Sequence, residues 1–176
     1  RDPAFTSFVE QPELAVMLRA LLGSETVSFV RSHHNCVMTK QPRFSSDTGW
    51  HQDVRYWRFT NHNLVNAWLA LTPESSPNGS LRVIPGTHRS EFSADRFDDA
   101  LFLRPDHPEN AALIERAVQI ELAPGDLLFF HAAVFHFATR NYTQRPKLSA
   151  VFTFHGEGTQ AVPGTKSESQ PEVLLA

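Results

Sequence analysis

The sequence predicts a mainly β domain, a sandwich or barrel of short strands with a helix packed outside it. Three observations predict this. Seven short segments are rich in β-branched and aromatic residues and are bounded by Gly, Pro, Asn or Ser. Strong turn signals, Ser76-Pro77-Asn78-Gly79 and Pro85-Gly86, punctuate them. Only one segment carries a convincing helical period.

That segment is residues 11–23. Pro12 suits a first helical turn, Leu14, Met17, Leu18 and Leu21 fall at i, i+3, i+4 and i+7, and Gly23 can close the helix in the left-handed conformation. The strands follow at 27–31, 35–40, 64–71, 81–84, 118–122, 126–131 and 147–155. A weaker helix is expected within 108–117, after the acidic, Pro-broken stretch 92–107. The polar, Pro/Gly-punctuated tail, 159–176, reads as a loose C-terminal arm, so residues 1–158 form a single domain.

At 176 residues the chain is long enough for one sizeable core; domains near this size bury roughly 70% of their unfolded surface. A hydrophobic fraction of 41% with 20% charged residues excludes a disordered segment. No apolar run approaches the roughly 20 residues of a membrane span, and no signal peptide is visible. The net charge of −3 offers no basic footprint, so neither nucleic acid nor a membrane is expected as a partner. The single cysteine, Cys36, excludes an internal disulfide and fits a reducing, cytoplasmic compartment. Nothing in the sequence sets an oligomeric state.

The informative segment is Trp50-His51-Gln52-Asp53. In extended chain, residues i and i+2 point to one side, so His51 and Asp53 can present an imidazole and a carboxylate to one point. This is two thirds of the two-His, one-carboxylate set that holds Fe(II) in non-haem oxygenases and leaves other positions open. The third ligand must come from afar. Gly125 to His136 reads as a buried strand ending in two histidines, His131 and His136, whose separation puts them on opposite faces of an unbroken strand. Local sequence does not choose between them.

Lys40, His51-Gln52-Asp53, Trp68, Asn78-Gly79-Ser80-Leu81 and Pro85-Gly86-Thr87-His88 occur in that order, followed by Gly125-Asp126, Phe130-His131, His136 and Asn141. Over residues 35–155 this series resembles the phytanoyl-CoA dioxygenase family of Fe(II)/2-oxoglutarate oxygenases. The resemblance implies a double-stranded β-helix, a jelly-roll or cupin-like barrel with flanking helices. It implies that His136 is the distal metal ligand, five residues before Asn141, and that His131 is not one. It also implies Fe(II), 2-oxoglutarate and O2 as cofactors, and an additional N-terminal part of the family domain before residue 1. Halogenases on this fold replace the carboxylate ligand by a small residue, so Asp53 implies hydroxylation of a small organic molecule.

For the distal carboxylate of 2-oxoglutarate, the family places an Arg eleven residues after the distal histidine. Here that position is Lys147, which shares a strand face with Ser149. Arg makes a planar bidentate pair with carboxylate whereas Lys is a point charge, so the departure matters. Arg145 has the same parity and is the competing anchor, although Pro146 can redirect it. Trp68 and Cys36 match further family contacts to the cosubstrate; Cys36 also suits a small buried apolar position.

Substrate contacts are sought in the loop after the metal motif, where Arg55 can meet an anion and Tyr56 and Trp57 can stack, with Asn66 on the same face as Trp68. The same residues also suit plain loop packing. Two rival readings use the same fold. A non-catalytic cupin-like metal- or ligand-binding protein is favoured by Lys147 standing in place of Arg, and a sugar-binding jelly roll explains Tyr56 and Trp57 but not the triad.

Overall fold

The computed structural model describes residues 3–175. In chain order it holds α1 (Pro3–Val9), α2 (Pro12–Leu22), β1 (Val27–Lys40), β2 (Thr48–His51), β3 (Leu64–Ala70) and β4 (Leu81–Ile84). These are followed by α3 (Pro108–Ile114), β5 (Val118–Gln119), β6 (Leu127–His131), β7 (Phe135–Ala138), β8 (Lys147–Gly156) and β9 (Val173–Leu175). All pairings are antiparallel, in a five-stranded sheet ordered β6-β3-β8-β1-β9 and a four-stranded sheet ordered β2-β7-β4-β5. The expected mainly β barrel with flanking helices is the observed architecture.

The sheets pack face to face. Trp68, Phe130 and Val151 of the larger sheet form one buried cluster with Leu81 and Ala138 of the smaller. Strand β8 shows how the layers are built: alternation sends Leu148, Ala150, Phe152 and Phe154 one way and Lys147, Ser149, Val151, Thr153 and His155 the other. Phe152 and Phe154 meet α1 and α2 on the outside, whereas Lys147 and Val151 line an interior cavity.

Helix α2 starts at Pro12 and is closed by Gly23 at φ +61°, as expected, with the Gly23 N–H on the Arg19 carbonyl. Its buried row differs from the expected one. Leu14, Leu18 and Leu22, with Ala15, face the sheet, while Met17 and Leu21 are exposed. The buried residues Leu14, Leu18 and Leu22 thus form an i, i+4, i+8 row along one helix face. Each leucine so buried contributes about 1.5–3 kcal/mol.

Three further expectations change. The strands at 27–31 and 35–40 are one strand, β1, broken by a register shift: Val30 pairs with Thr153 and Asn35 with Phe152, so residues 31–34 bulge out. The presumed single strand ending in His131 and His136 is two strands, β6 and β7, in different sheets, because the chain turns through 132–134. The tail is not a loose arm: Val173 and Leu175 pair with Phe29 and Val27 on the β1 edge, and Leu175 joins the outer core. Pairing satisfies backbone groups that an open edge would leave bare. Among the described residues no helix is long and apolar enough to cross a membrane.

Candidate metal centre

Two cross-strand neighbours start the site. His51 at the end of β2 lies directly opposite His136 on β7, with ring centroids 4.1 Å apart. Asp53 follows in a 3-10 turn and is buried. One ligand atom from each of His51, Asp53 and His136 lies within 4.8 Å of the others. The Nε2 atoms of His51 and His136 are 3.7 and 3.8 Å from Asp53 Oδ1.

Neighbouring groups fix each ligand. His51 Nδ1 contacts the Gly49 carbonyl at 2.8 Å and His136 Nδ1 the Val134 carbonyl at 3.0 Å. Each Nδ1–H therefore donates to backbone and each Nε2 lone pair is free for a metal. Asn66 donates from Nδ2 to Asp53 Oδ2 at 2.7 Å, and Thr153 Oγ1 donates to Asn66 Oδ1 at 2.7 Å. This chain of bonds leaves Oδ1 facing His51, His136 and His34.

The Asp53 carboxylate is held ionised at the site. Burial and the adjacent His136 push His51 down to about 4, so it is neutral at pH 7. Burial pushes the Asp53 carboxyl up, but His136, His34 and His51 outweigh it and hold Asp53 below the usual carboxylate range. His34 Nε2 lies 3.1 Å from Asp53 Oδ1. Burial lowers the His34 pKa, yet the Asp53 carboxylate and the Cys36 thiol raise it overall to about 9. Two imidazoles whose Nδ1 atoms are held by backbone carbonyls and one carboxylate, buried and converging, fit a divalent first-row transition metal.

The triad opens into a cavity of about 380 Å³, lined also by His34, Met38, Lys40, Trp68, Phe130 and Lys147. Lys147 is 2% exposed and pairs with the buried Glu74: Nζ is 3.1 Å from Glu74 Oε2 and 3.2 Å from Ser149 Oγ. Trp68 Nε1–H and Ser149 Oγ–H both donate to Glu74 Oε1, at 2.8 and 2.5 Å. The structure thus brings Lys147, Ser149 and Trp68 together, around an internal carboxylate.

Other sequence-predicted residues lie elsewhere. Arg145 is exposed and does not line this cavity. Cys36 faces inward by register, opposite Val151, but sits on the sheet edge, exposed, and borders a separate groove with Phe5 and Phe29. The loop residues pack: the Arg55 guanidinium lies 3.5 Å from the Phe97 ring centroid, Tyr56 Oη donates to the Ala100 carbonyl, and buried Trp57 stacks on His33. Asn66 holds Asp53 and is fully buried. His131 lies outside the cluster, stacked on His88 and accepting from the Ala133 N–H.

Sequence reasoning missed His34 and Glu74. Strand alternation puts His34 on the pocket face with Cys36 and Met38, but its contact with Asp53 from the β1 bulge was not expected. Glu74 reads as a loop acid. Its one signal is the turn after it, in which Asn78 Nδ2 donates to the Pro73 carbonyl and Glu74 pairs with Leu122 through both backbone groups.

The model of the family described as phytanoyl-CoA dioxygenase (PhyH) matches residues 1–149. Curated relatives include a probable phytanoyl-CoA dioxygenase of Caenorhabditis elegans, 24% identical over 81% of this chain and 48% of its own length. The peroxisomal phytanoyl-CoA dioxygenase of Homo sapiens is 28% identical over 96% of this chain and 51% of its own. The chain spans about half the length of these relatives. Among solved structures, the non-haem α-ketoglutarate-dependent epimerase SnoN from nogalamycin biosynthesis superposes with a TM-score of 0.75 at 24% identity, covering 93% of this chain and 63% of that one. EctD from S. alaskensis with bound Fe gives 0.75 at 22% identity, covering 88% and 53%. These structural likenesses establish a shared fold, and with the family match over most of its length the chain belongs to the phytanoyl-CoA dioxygenase family.

Proposed function

We propose that this chain carries the metal- and cosubstrate-binding core of an Fe(II)/2-oxoglutarate-dependent dioxygenase that hydroxylates a C–H bond of a small organic molecule. The observation that carries the reading is the convergence of His51, Asp53 and His136 at the head of a cavity that holds two lysines. In this reading His51, Asp53 and His136 hold Fe(II). Lys40, Lys147 and Trp68 line the end of the cavity toward which the distal carboxylate of 2-oxoglutarate points, with Ser149 hydrogen-bonded to Lys147 behind it. When bound, Fe(II) with 2-oxoglutarate and O2 supplies the oxidising chemistry, inserting one oxygen atom into the substrate and releasing succinate and CO2.

The chain's own residues orient and shield. Gly49 and Val134 carbonyls fix the two imidazole tautomers, Asn66 fixes the carboxylate, and Trp68 and Phe130 give the cavity apolar walls that exclude water. The solved relatives named with "2-oxoglutarate and 5-hydroxyectoine" and with "Fe3+, alpha ketoglutarate and nogalamycin RO" support the cofactor set and a small-molecule substrate. The non-catalytic alternative, favoured in the sequence by Lys147 standing in place of Arg, also draws on the pairing of Lys147 with Glu74. Full-length protein with Fe(II), 2-oxoglutarate and O2 should release succinate faster when its substrate is present in a library of small metabolites. Metal binding with no succinate release under any condition would support the non-catalytic alternative instead.

A further inference from the structure

Two lysines face the metal-site cavity; among the described residues Lys147 is ion-paired, with Glu74, whereas Lys40 has Asp47 only within longer electrostatic reach and Asp47 is itself paired with Arg140. Lys147 is bound by Glu74, a carboxylate 2% exposed whose two oxygens together serve Lys147, Ser149 and Trp68. These are the three side chains otherwise assigned to the distal carboxylate of 2-oxoglutarate. Lys40 donates only to neutral acceptors, the Ser46 carbonyl at 2.6 Å and the Thr48 hydroxyl at 3.3 Å. Lys40 lies opposite Lys147 on the neighbouring strand, so both ammonium groups reach the same end of the cavity.

A second carboxylate placed against Lys147 would meet Glu74 in a buried site, where like charges repel strongly. Counting fixed charges at this end, Lys40, Lys147 and Arg140 against Glu74 and Asp47 leave one net positive charge, which is what a single distal carboxylate neutralises. That surplus resides on Lys40. Burial and the nearby Lys147 both lower the Lys40 pKa, which places the two cations within electrostatic reach of each other.

We propose that Glu74 is a cosubstrate-specificity residue: its carboxylate occupies the Lys147–Ser149–Trp68 anchor, and the distal carboxylate of the bound 2-oxo acid pairs with Lys40. The inference rests on the cosubstrate reading above and deepens it. Glu74 acts as a built-in competitor that sets 2-oxoglutarate affinity, and Lys40 is the residue that recognises the distal charge.

The test is an anaerobic titration of Fe(II)-loaded protein with two probes, followed by the visible charge-transfer band and by calorimetry. One probe is 2-oxoglutarate; the other is 2-oxovalerate, of equal length without the distal carboxylate. Glu74→Gln should tighten 2-oxoglutarate about tenfold or more and leave 2-oxovalerate unchanged, because only the distal charge feels the removed repulsion. Lys40→Met should weaken 2-oxoglutarate about tenfold or more and spare 2-oxovalerate. The double variant Glu74→Gln/Lys147→Met guards against misfolding of the single one, since it removes the uncompensated buried Lys147 charge that Glu74→Gln alone leaves. It should bind 2-oxoglutarate within a few-fold of the wild type, because the lost repulsion of Glu74 and the lost attraction of Lys147 offset each other while Lys40 is intact.

Weaker 2-oxoglutarate binding by Glu74→Gln would make Glu74 a support for Lys147 and overturn the proposal. So would a large loss in the double variant, or no loss in Lys40→Met. Binding of neither acid by any of these proteins would overturn the cosubstrate reading and this inference together. Normal wild-type binding with the wrong variant pattern would overturn this inference alone.

Discussion

Asn66→Ala tests how the carboxylate ligand is held. Asn66 is fully buried, donates to Asp53 Oδ2 at 2.7 Å and accepts from Thr153 Oγ1 at 2.7 Å. The alanine removes a hydrogen bond to a charged group, worth about 1.5–3 kcal/mol, which converts to roughly a tenfold to hundredfold loss of affinity for any ion that needs Asp53 in place. Outer partners of metal ligands cost about 10–100-fold when removed, in agreement. The variant also strands the Thr153 hydroxyl, at about 1–3 kcal/mol of fold stability, or a melting point several degrees lower for a domain of this size. Calorimetry with Mn(II) or anaerobic Fe(II) measures the affinity, and thermal unfolding reports whether the variant is folded. Thr153→Val should show a smaller metal effect, because Asn66 remains. A folded Asn66→Ala protein with unchanged metal affinity would refute the argument, and a substrate KM effect in its place would return Asn66 to the substrate contacts.

Three further outcomes follow from the packing. Lys147→Ala leaves Glu74 buried without its cation and should cost about 3–5 kcal/mol in denaturant unfolding, whereas exposed Arg145→Ala should stay within about 0.5 kcal/mol; equal effects would contradict the ion-pair geometry. His155 Nε2 lies 3.0 Å from Glu172 Oε1; burial lowers the His155 pKa, but Glu172 and the Gly156 carbonyl raise it overall. Its stabilisation is therefore complete below the unfolded value near 6.5 and is lost as pH rises through the folded value, so the melting-point gap between wild type and His155→Gln should shrink from pH 6 to pH 9. A gap that grows with pH would reverse the sign. Gly79 has φ +82° and a Cβ there would collide with the Thr139 carbonyl, so Gly79→Ala should lower the melting point; an unchanged value would show that the turn can shift.

The parts of this protein that were legible in its sequence are those where local chemistry repeats or punctuates. β3, β4, β6 and β8 announce themselves through β-branched and aromatic runs between turn residues, and α2 through its leucine row and Gly23. His51 and Asp53 are legible as a pair because two residues of extended chain set their geometry. What was illegible depends on distant partners. The β1 bulge exists because Asn35–Lys40 must register with β8 after four unpaired residues, and no local residue encodes it. β7 is a short strand whose direction is set by the turn at 132–134, so the local pattern does not separate His136 from His131 and only the family resemblance does. The tail looked loose because its polar residues hide Val173 and Leu175, which pair only once the β1 edge exists. Glu74 was invisible because a loop acid acquires meaning only when β3 and β8 bring Trp68, Ser149 and Lys147 around it.

The central claim is that His51, Asp53 and His136 hold Fe(II) beside a site for 2-oxoglutarate. Anaerobic addition of Fe(II) and 2-oxoglutarate to wild type and single alanine variants, read as the weak visible charge-transfer band of the chelate, tests it directly. Wild type and His131→Ala should give the band, and His51→Ala, Asp53→Ala and His136→Ala should each lose it. A band that survives in His136→Ala and vanishes in His131→Ala, or no band in the wild type, would contradict the account.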